Sequence, residues 1–166
     1  MPTRRDVFYA SAALAALSVG RLAWPGGVKA ATSYEVTHTD EEWRKLLSPE
    51  AYQVLRHEGT ERPFSSALLN EHHAGTFTCG GCDLPLYSSK TKYDSGTGWP
   101  SFWAPLDNAV QEIKDSSFGM IRTAIACRRC GGHLGHVFND GPKPTGLRYC
   151  MNGVALKFVA ATPSSS

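Results

Sequence analysis

The sequence lacks a charge excess: seventeen Lys and Arg stand against fifteen Asp and Glu, a net charge of +2. No basic stripe extends beyond Arg128-Arg129, so a nucleic-acid partner is not expected. There is no internal repeat of solenoid period. Beyond Pro63 there is no sustained helical periodicity; Gly, Pro, Asn and Asp punctuate short runs instead. No segment after the N-terminus is apolar enough to cross a bilayer. Disorder is equally unsupported, because 42% of the residues are hydrophobic and they run along most of the chain after Tyr34. The 166 residues are enough for one domain and a processing segment, but not comfortably for two domains.

The N-terminus reads as an address. Thr3-Arg4-Arg5-Asp6-Val7-Phe8 places a twin arginine ahead of an apolar, alanine-rich run from Val7 to Val19, and Val28-Lys29-Ala30 approximates a small-x-small cleavage pattern. An uncleaved anchor is the alternative, but the run is too short to span and is followed by Arg21. The expected organisation is a twin-arginine export signal over 1–30, a linker over 31–38, a folded domain over 39–160 and a flexible tail over 161–166. A periplasmic or otherwise exported protein, soluble after cleavage between Ala30 and Ala31, follows as an expectation.

Thr39-Asp40-Glu41-Glu42 predicts a capping box, and Trp43, Leu46 and Leu47 give the short helix after it an apolar stripe. Ser48-Pro49 predicts a second helix that runs through Tyr52 and Leu55 and stops at Gly59. Gly75 to Cys79 reads as a strand. So do the alternating sets Ile121, Thr123, Ile125, Cys127 and Val154, Leu156, Phe158. Ser95 to Gly98 and Asp140-Gly141-Pro142 read as loops or turns. The expectation is a small antiparallel β domain with a helical N-terminal segment.

Five cysteines in an exported chain suggest disulfides first, but an odd count leaves one over and the spacing points elsewhere. Cys79-Gly80-Gly81-Cys82 and Cys127-Arg128-Arg129-Cys130 are two Cys-x-x-Cys knuckles, each giving two thiolates a bite that fits one tetrahedral ion. Zinc suits four thiolates in a closed site; iron would add redox chemistry that nothing else here requires. Two disulfides or a redox-active pair are the competing readings. The long separation between knuckles makes the expected role structural, a clip between two distant hairpins. A zinc site also fits the twin-arginine route, which carries proteins already folded.

The remaining cysteine, Cys150, lies in Arg148-Tyr149-Cys150-Met151-Asn152-Gly153. A lone cysteine beside a strand is most often a small buried hydrophobe. Its company argues for more. His133 and His136 follow the second knuckle, and Arg148 sits two residues before the thiol, on the same face of a strand. Asn152 offers a donor and an acceptor, and Gly98-Trp99-Pro100-Ser101-Phe102-Trp103 offers a flat aromatic surface for an apolar methyl or thioether group. His72 and His73 are adjacent and read as surface.

Four stretches carry a resemblance: Gly59 to Phe64, Ser95 to Phe102, Cys130 to Phe138, and Arg148 to Asn152. With both knuckles, and in order from about Thr39 to about Phe158, they are similar to the signature stretches of type B methionine sulfoxide reductases. The resemblance implies a mainly β fold of two small antiparallel sheets, the β-tent, with short N-terminal helices. It also implies reduction of the R epimer of methionine sulfoxide in peptides and proteins. Matched motif by motif, Cys150 falls on the nucleophile and Trp99 on the wall that holds the substrate methyl. His133, His136 and Asn152 fall where the sulfoxide oxygen is bound and protonated. Phe138 falls on a position that packs the pocket, and Arg148 on one that helps keep the thiol ionised.

That chemistry is coherent, since a sulfoxide sulfur is electrophilic once its oxygen is protonated, and attack leaves a sulfenic acid. Two departures stand out. Many family members carry a recycling cysteine where this chain has Thr97, so an external thiol is expected instead: a thioredoxin-like protein, or glutaredoxin with glutathione. The family usually has Ser where this chain has Gly153. The rival readings are a non-catalytic β-tent binding module and, further off, a zinc-ribbon nucleic-acid binder. A monomer without a stable membrane span is expected.

Overall fold

The structure is a computed structural model that describes residues 33–116 and 121–162; the expected signal over 1–30 and the end of the expected tail lie outside them. Helix α1 (Asp40–Leu46) begins as its sequence predicts. The Thr39 hydroxyl accepts from the Glu42 N–H, and the Glu42 carboxylate accepts from the Thr39 N–H at 2.8 Å. Helix α2 (Pro49–His57) is capped by the Ser48 hydroxyl and buries Ala51, Tyr52, Val54 and Leu55. Its stop differs from the expected one. Glu58, at φ 55, takes the left-handed turn, and Gly59 instead donates its N–H to the Gln53 carbonyl at 3.0 Å. A Cβ on Gly59 would lie 2.9 Å from that same carbonyl oxygen, so the glycine serves close approach rather than a left-handed turn.

The end of the stretch read as a linker is fastened to the domain. Val36 N–H donates to the Arg129 carbonyl at 3.1 Å, and Glu35 lies 3.9 and 3.8 Å from Arg128 and Arg129.

Two antiparallel sheets follow, as expected. Strands β1 (Gly75–Cys79), β2 (Pro85–Ser88) and β9 (Leu156–Ala160) form a three-stranded sheet in the order β2-β1-β9. Strands β3 (Lys92–Tyr93), β4 (Ser101–Phe102), β5 (Val110–Asp115), β6 (Arg122–Cys127), β7 (His133–Phe138) and β8 (Arg148–Met151) form a six-stranded sheet ordered β3-β4-β8-β7-β6-β5. Val154, expected in the last strand, instead lies in a 3-10 turn, Gly153–Ala155, that precedes β9. Among the described residues, no helix is long and apolar enough to cross a membrane.

The core fills the space between the sheets. Phe102 stacks on Tyr87 with ring centres 4.3 Å apart and meets Phe77 edge-on at 5.0 Å; all three are fully buried. The aromatic surface expected along Gly98–Trp103 is therefore divided: Phe102 belongs to the core, because strand alternation turns it away from its neighbour Ser101. Tyr87 also donates its hydroxyl to the Met151 sulfur at 3.2 Å, closing the core beneath β8.

Candidate active site

Strand register builds the site. Ser101 on β4 pairs with Cys150 on β8, Cys150 pairs with His136 on β7, and His136 pairs with Ala124 on β6. Directly paired residues project to the same face, so these four side chains form a row on the face opposite the core. Phe102, Tyr149, Met151 and Ile125 alternate with them and point inward.

The two histidines depend on an irregularity. Three residues apart on a regular strand, His133 and His136 would face opposite ways. The pairing of β6 with β7 slips between Ile125 and Ala126, so Ala126 pairs with His133 while Ile125 pairs with Gly135. The extra residue returns His133 to the face of His136, and their ring centres lie 5.3 Å apart. At Gly135 the neighbouring strand comes so near that a Cβ would fall 2.2 Å from the Cys150 carbonyl oxygen. Only glycine allows β7 and β8 to close there.

A cavity of about 140 Å³ opens on this face, and Trp99, His136, Phe138, Cys150 and Asn152 all line it. Trp99 is held by its indole N–H, which donates to the Glu61 carbonyl at 3.2 Å. Asn152, only 3% exposed, accepts from the Glu61 N–H at 3.0 Å and donates to the Leu134 carbonyl at 3.1 Å. An amide nitrogen carries two hydrogens, so that bond does not exhaust Asn152 as a donor. The Glu61 carboxylate accepts from the Gly153 and Val154 N–H groups. One residue of the Gly59–Phe64 stretch thus ties Trp99 to the turn after Cys150.

Arg148 and His133 stand behind the lining rather than in it. Arg148 donates to Asp140 through Nε at 2.9 Å and Nη2 at 2.8 Å, and its guanidinium lies 4.4 Å from the centre of the Phe138 ring. These hydrogen bonds hold the Asp140 carboxyl below its usual range. His133 is 6% exposed and borders a second cavity, of about 340 Å³, on which His136 and Asp115 also open. A larger cavity of about 560 Å³ beside Leu55 and Ile113 has no cysteine in its lining and does not touch Cys150.

Burial pushes the His133 imidazole down to about 4, with the neighbouring His136 adding to the shift, and its Nε2 has no hydrogen-bond partner among the described residues. The unfolded chain, titrating near 6.5, takes up a proton that the folded chain refuses between those values. Stability contributed by neutral His133 is therefore present above about pH 6.5 and is lost as pH falls toward 4. The expected loss is roughly 3 kcal/mol across that window. Urea unfolding of the protein and of His133→Leu at pH 7, 5.5 and 4 measures it: the protein should lose about 3 kcal/mol more than the variant as the pH falls from 7 to 4. Parallel curves would show that His133 is not buried in its neutral form.

Several residues with roles here had no sequence signal as site residues. Asp115, at the end of β5, accepts from His136 Nε2 at 3.0 Å and from Arg122 at 2.7 Å. A carboxylate on Nε2 makes that nitrogen the N–H and leaves Nδ1 for a pocket ligand. In the sequence Asp140 reads only as part of a turn. An acidic residue between His136 and Arg148 was the one available hint for it.

The knuckles meet at the other end of the fold. Cys79 ends β1 and Cys127 ends β6, so the four cysteines join the two sheets. Their sulfurs lie within 4.8 Å of one another, with Cys79–Cys130 at 3.7 Å and Cys82–Cys127 at 3.5 Å, and no pair is a disulfide. Four bonds of about 2.3 Å directed tetrahedrally give sulfur–sulfur edges of about 3.8 Å, which these dimensions match. The protons agree. Hydrogen bonding with Cys127 pushes the Cys79 and Cys130 thiols up, while hydrogen bonds from Cys130 and Cys79 hold Cys127 down. Four crowded sulfurs cannot all ionise unless a cation lies among them, so the donor set fits a metal.

Comparison with known proteins gives one answer. The SelR domain matches residues 47–160. A peptide methionine sulfoxide reductase MsrB of Leptospira interrogans is 58% identical over 127 residues, covering 76% of this chain and 97% of that protein. Proteins of the same name from Pseudomonas putida (strain W619) and Agrobacterium fabrum are 58% and 53% identical, covering 75% and 76% of this chain and 94% and 95% of their own.

Proposed function

This chain belongs to the SelR domain family, and on that premise we propose that it is an oxidoreductase that reduces the R epimer of methionine sulfoxide in peptides and proteins. The observation that carries the reading is the pocket in which Cys150 stands opposite His136 with Trp99 beside both. The Trp99 ring offers the methyl group an apolar wall, and the polar side of the pocket, His136 and Asn152, takes the oxygen. Chirality follows from this division, because a tetrahedral sulfoxide can satisfy both walls and present its sulfur to Cys150 in only one hand.

In the proposed step the Cys150 thiolate attacks the sulfoxide sulfur while a proton passes to its oxygen. The oxygen ends on Cys150 as a sulfenic acid, the cysteine sulfur is oxidised by two electrons and methionine is released. An external thiol then condenses with the sulfenic acid, releasing water, and a second thiol frees Cys150 as a disulfide departs. Thr97 stands where many relatives carry a recycling cysteine, and the four knuckle sulfurs are gathered around one another instead. A thioredoxin-like protein, or glutaredoxin with glutathione, supplies those electrons.

The ion we assign to the four-cysteine site is zinc, held by Cys79, Cys82, Cys127 and Cys130 in a structural role, with no part in the reaction. The twin arginine at Arg4-Arg5 and the apolar run after it support export. Fractionation of cells with N-terminal sequencing of the exported form tests that part.

The function is tested with resolved R and S epimers of a peptide methionine sulfoxide and excess dithiothreitol, followed by peptide mass mapping after one turnover without reductant. Turnover of the R epimer alone, with a sulfenic acid on Cys150 that dimedone traps, is the expected result. Equal turnover of both epimers would refute the stereochemistry, and a disulfide between Cys150 and a knuckle cysteine would refute external recycling.

A further inference from the structure

Thr97 does more than leave a recycling cysteine out. Its hydroxyl oxygen lies 3.7 Å from the Cys150 sulfur, within reach of a hydrogen bond to sulfur. Behind it runs a line of hydroxyls: Thr97 to Ser95 at 2.8 Å, and Ser95 to Ser101 at 2.7 Å. The line ends on the Trp99 carbonyl, 3.1 Å from Ser101. Ser101 is fully buried and is the residue paired with Cys150 across β4 and β8, so both ends of the line are anchored by the same strand pairing.

We infer that Thr97, Ser95 and Ser101 form a reversible hydroxyl relay that presents a hydrogen-bond donor to Cys150 when its sulfur is an anion and an acceptor when it is a thiol. The inference rests on the assignment of Cys150 as the nucleophile.

Hydrogen counting carries it. Between the sulfur and the Trp99 carbonyl there are four gaps to be bridged, and each hydroxyl has one hydrogen and can also accept. With Cys150 as a thiol, its own hydrogen goes to Thr97, Thr97 donates to Ser95, Ser95 to Ser101, and Ser101 to the carbonyl. All gaps are filled. With Cys150 as a thiolate, only three hydrogens remain and one gap must stay empty. An anion is the strongest acceptor in the line, so the hydroxyls rotate together and Thr97 donates to sulfur. The empty gap moves to the Trp99 carbonyl, a neutral acceptor that loses less. No heavy atom moves. Thr97 is then a catalytic residue, in contact with the reacting sulfur, and Ser95 and Ser101 are positioning residues.

The test reads the thiol rather than turnover. Iodoacetamide alkylation of Cys150 in the metal-loaded protein, located by peptide mapping, is followed against pH for the wild type and three variants. His136, Arg122, Arg148 and Tyr93, which also lie around this sulfur, are the same in all four proteins. Thr97→Val keeps the shape and removes the donor, and its alkylation profile should move up by about one pH unit. Thr97→Ser should restore the wild-type profile. Ser95→Ala keeps the donor and loses only its polarisation, so it should move the profile in the same direction by a smaller amount. An unmoved profile for Thr97→Val would overturn the relay. So would failure of Thr97→Ser to restore it, or an equal shift from Ser95→Ala, which would point to loop packing. Alkylation needs no sulfoxide, so these results stand apart from the epimer assay.

Discussion

Cys150→Ser is expected to leave a folded, metal-loaded protein whose sulfoxide turnover falls by more than about 10⁴-fold, the scale seen when a nucleophile is removed. The change is nearly isosteric. Cys150 is on the face of β8 opposite the core, between Ser101 and His136, so the aromatic packing beneath it is untouched. A hydroxyl is a far weaker nucleophile than a thiolate at neutral pH, and a serine oxygen cannot take up the sulfoxide oxygen as a cysteine sulfur does in becoming a sulfenic acid. Turnover of the R epimer, metal content and the melting temperature are the three measurements. Lost turnover with the other two unchanged places the defect in chemistry. Turnover within tenfold of wild type would remove Cys150 from the reaction.

Loss of the metal should be the largest effect on stability. Cys127→Ser is expected to abolish stoichiometric zinc and to lower the melting temperature by about 20 °C or more. Structural zinc with thiolate ligands contributes on the order of 10 kcal/mol, comparable with the whole stability of a domain this size. Retaining half of that would still give such a shift. The position of the site explains why the loss is global rather than local: Cys79 and Cys127 terminate strands of different sheets. Arg56 reaches the Cys130 carbonyl from α2 at 3.1 Å, and Arg129 reaches the Cys82 carbonyl at 3.1 Å, so both the helical segment and the partner knuckle lean on this geometry. Calorimetry with metal analysis, with and without a chelator, measures it. An unchanged melting temperature in a zinc-free variant would make the four cysteines a passive cluster.

Local signals carried much of the fold. The Thr39 capping box and Ser48-Pro49 announce the two helices, because an N-terminal cap is made by residues within three positions of each other. The strand Gly75–Cys79 is bounded as its pattern suggests. Where two neighbours compete, the sequence misleads. Gly59 looked like the helix stop, but Glu58 took the left-handed turn because Gly59 was needed against Gln53. Phe102 looked like part of a pocket surface, but the one-residue alternation of β4 sends it into the core and leaves Ser101 on the active face.

For the site the division is sharper. The four-cysteine set and the odd cysteine, Cys150, are legible in the residue order, since two matched knuckles need only the bite of a short turn, and five cysteines less four leave one. The same order also puts Trp99, His136 and Asn152 in company with that cysteine through their motifs. Folding is needed to see that His133 stands behind His136, that Asp115 holds the His136 ring, that Asp140 engages Arg148, and that a line of hydroxyls ends at the Cys150 sulfur. These relations depend on strand register and on one slip between β6 and β7. Register is set by the packing of a whole sheet face, and a shift of one residue exchanges every side chain between faces, so no local pattern encodes it.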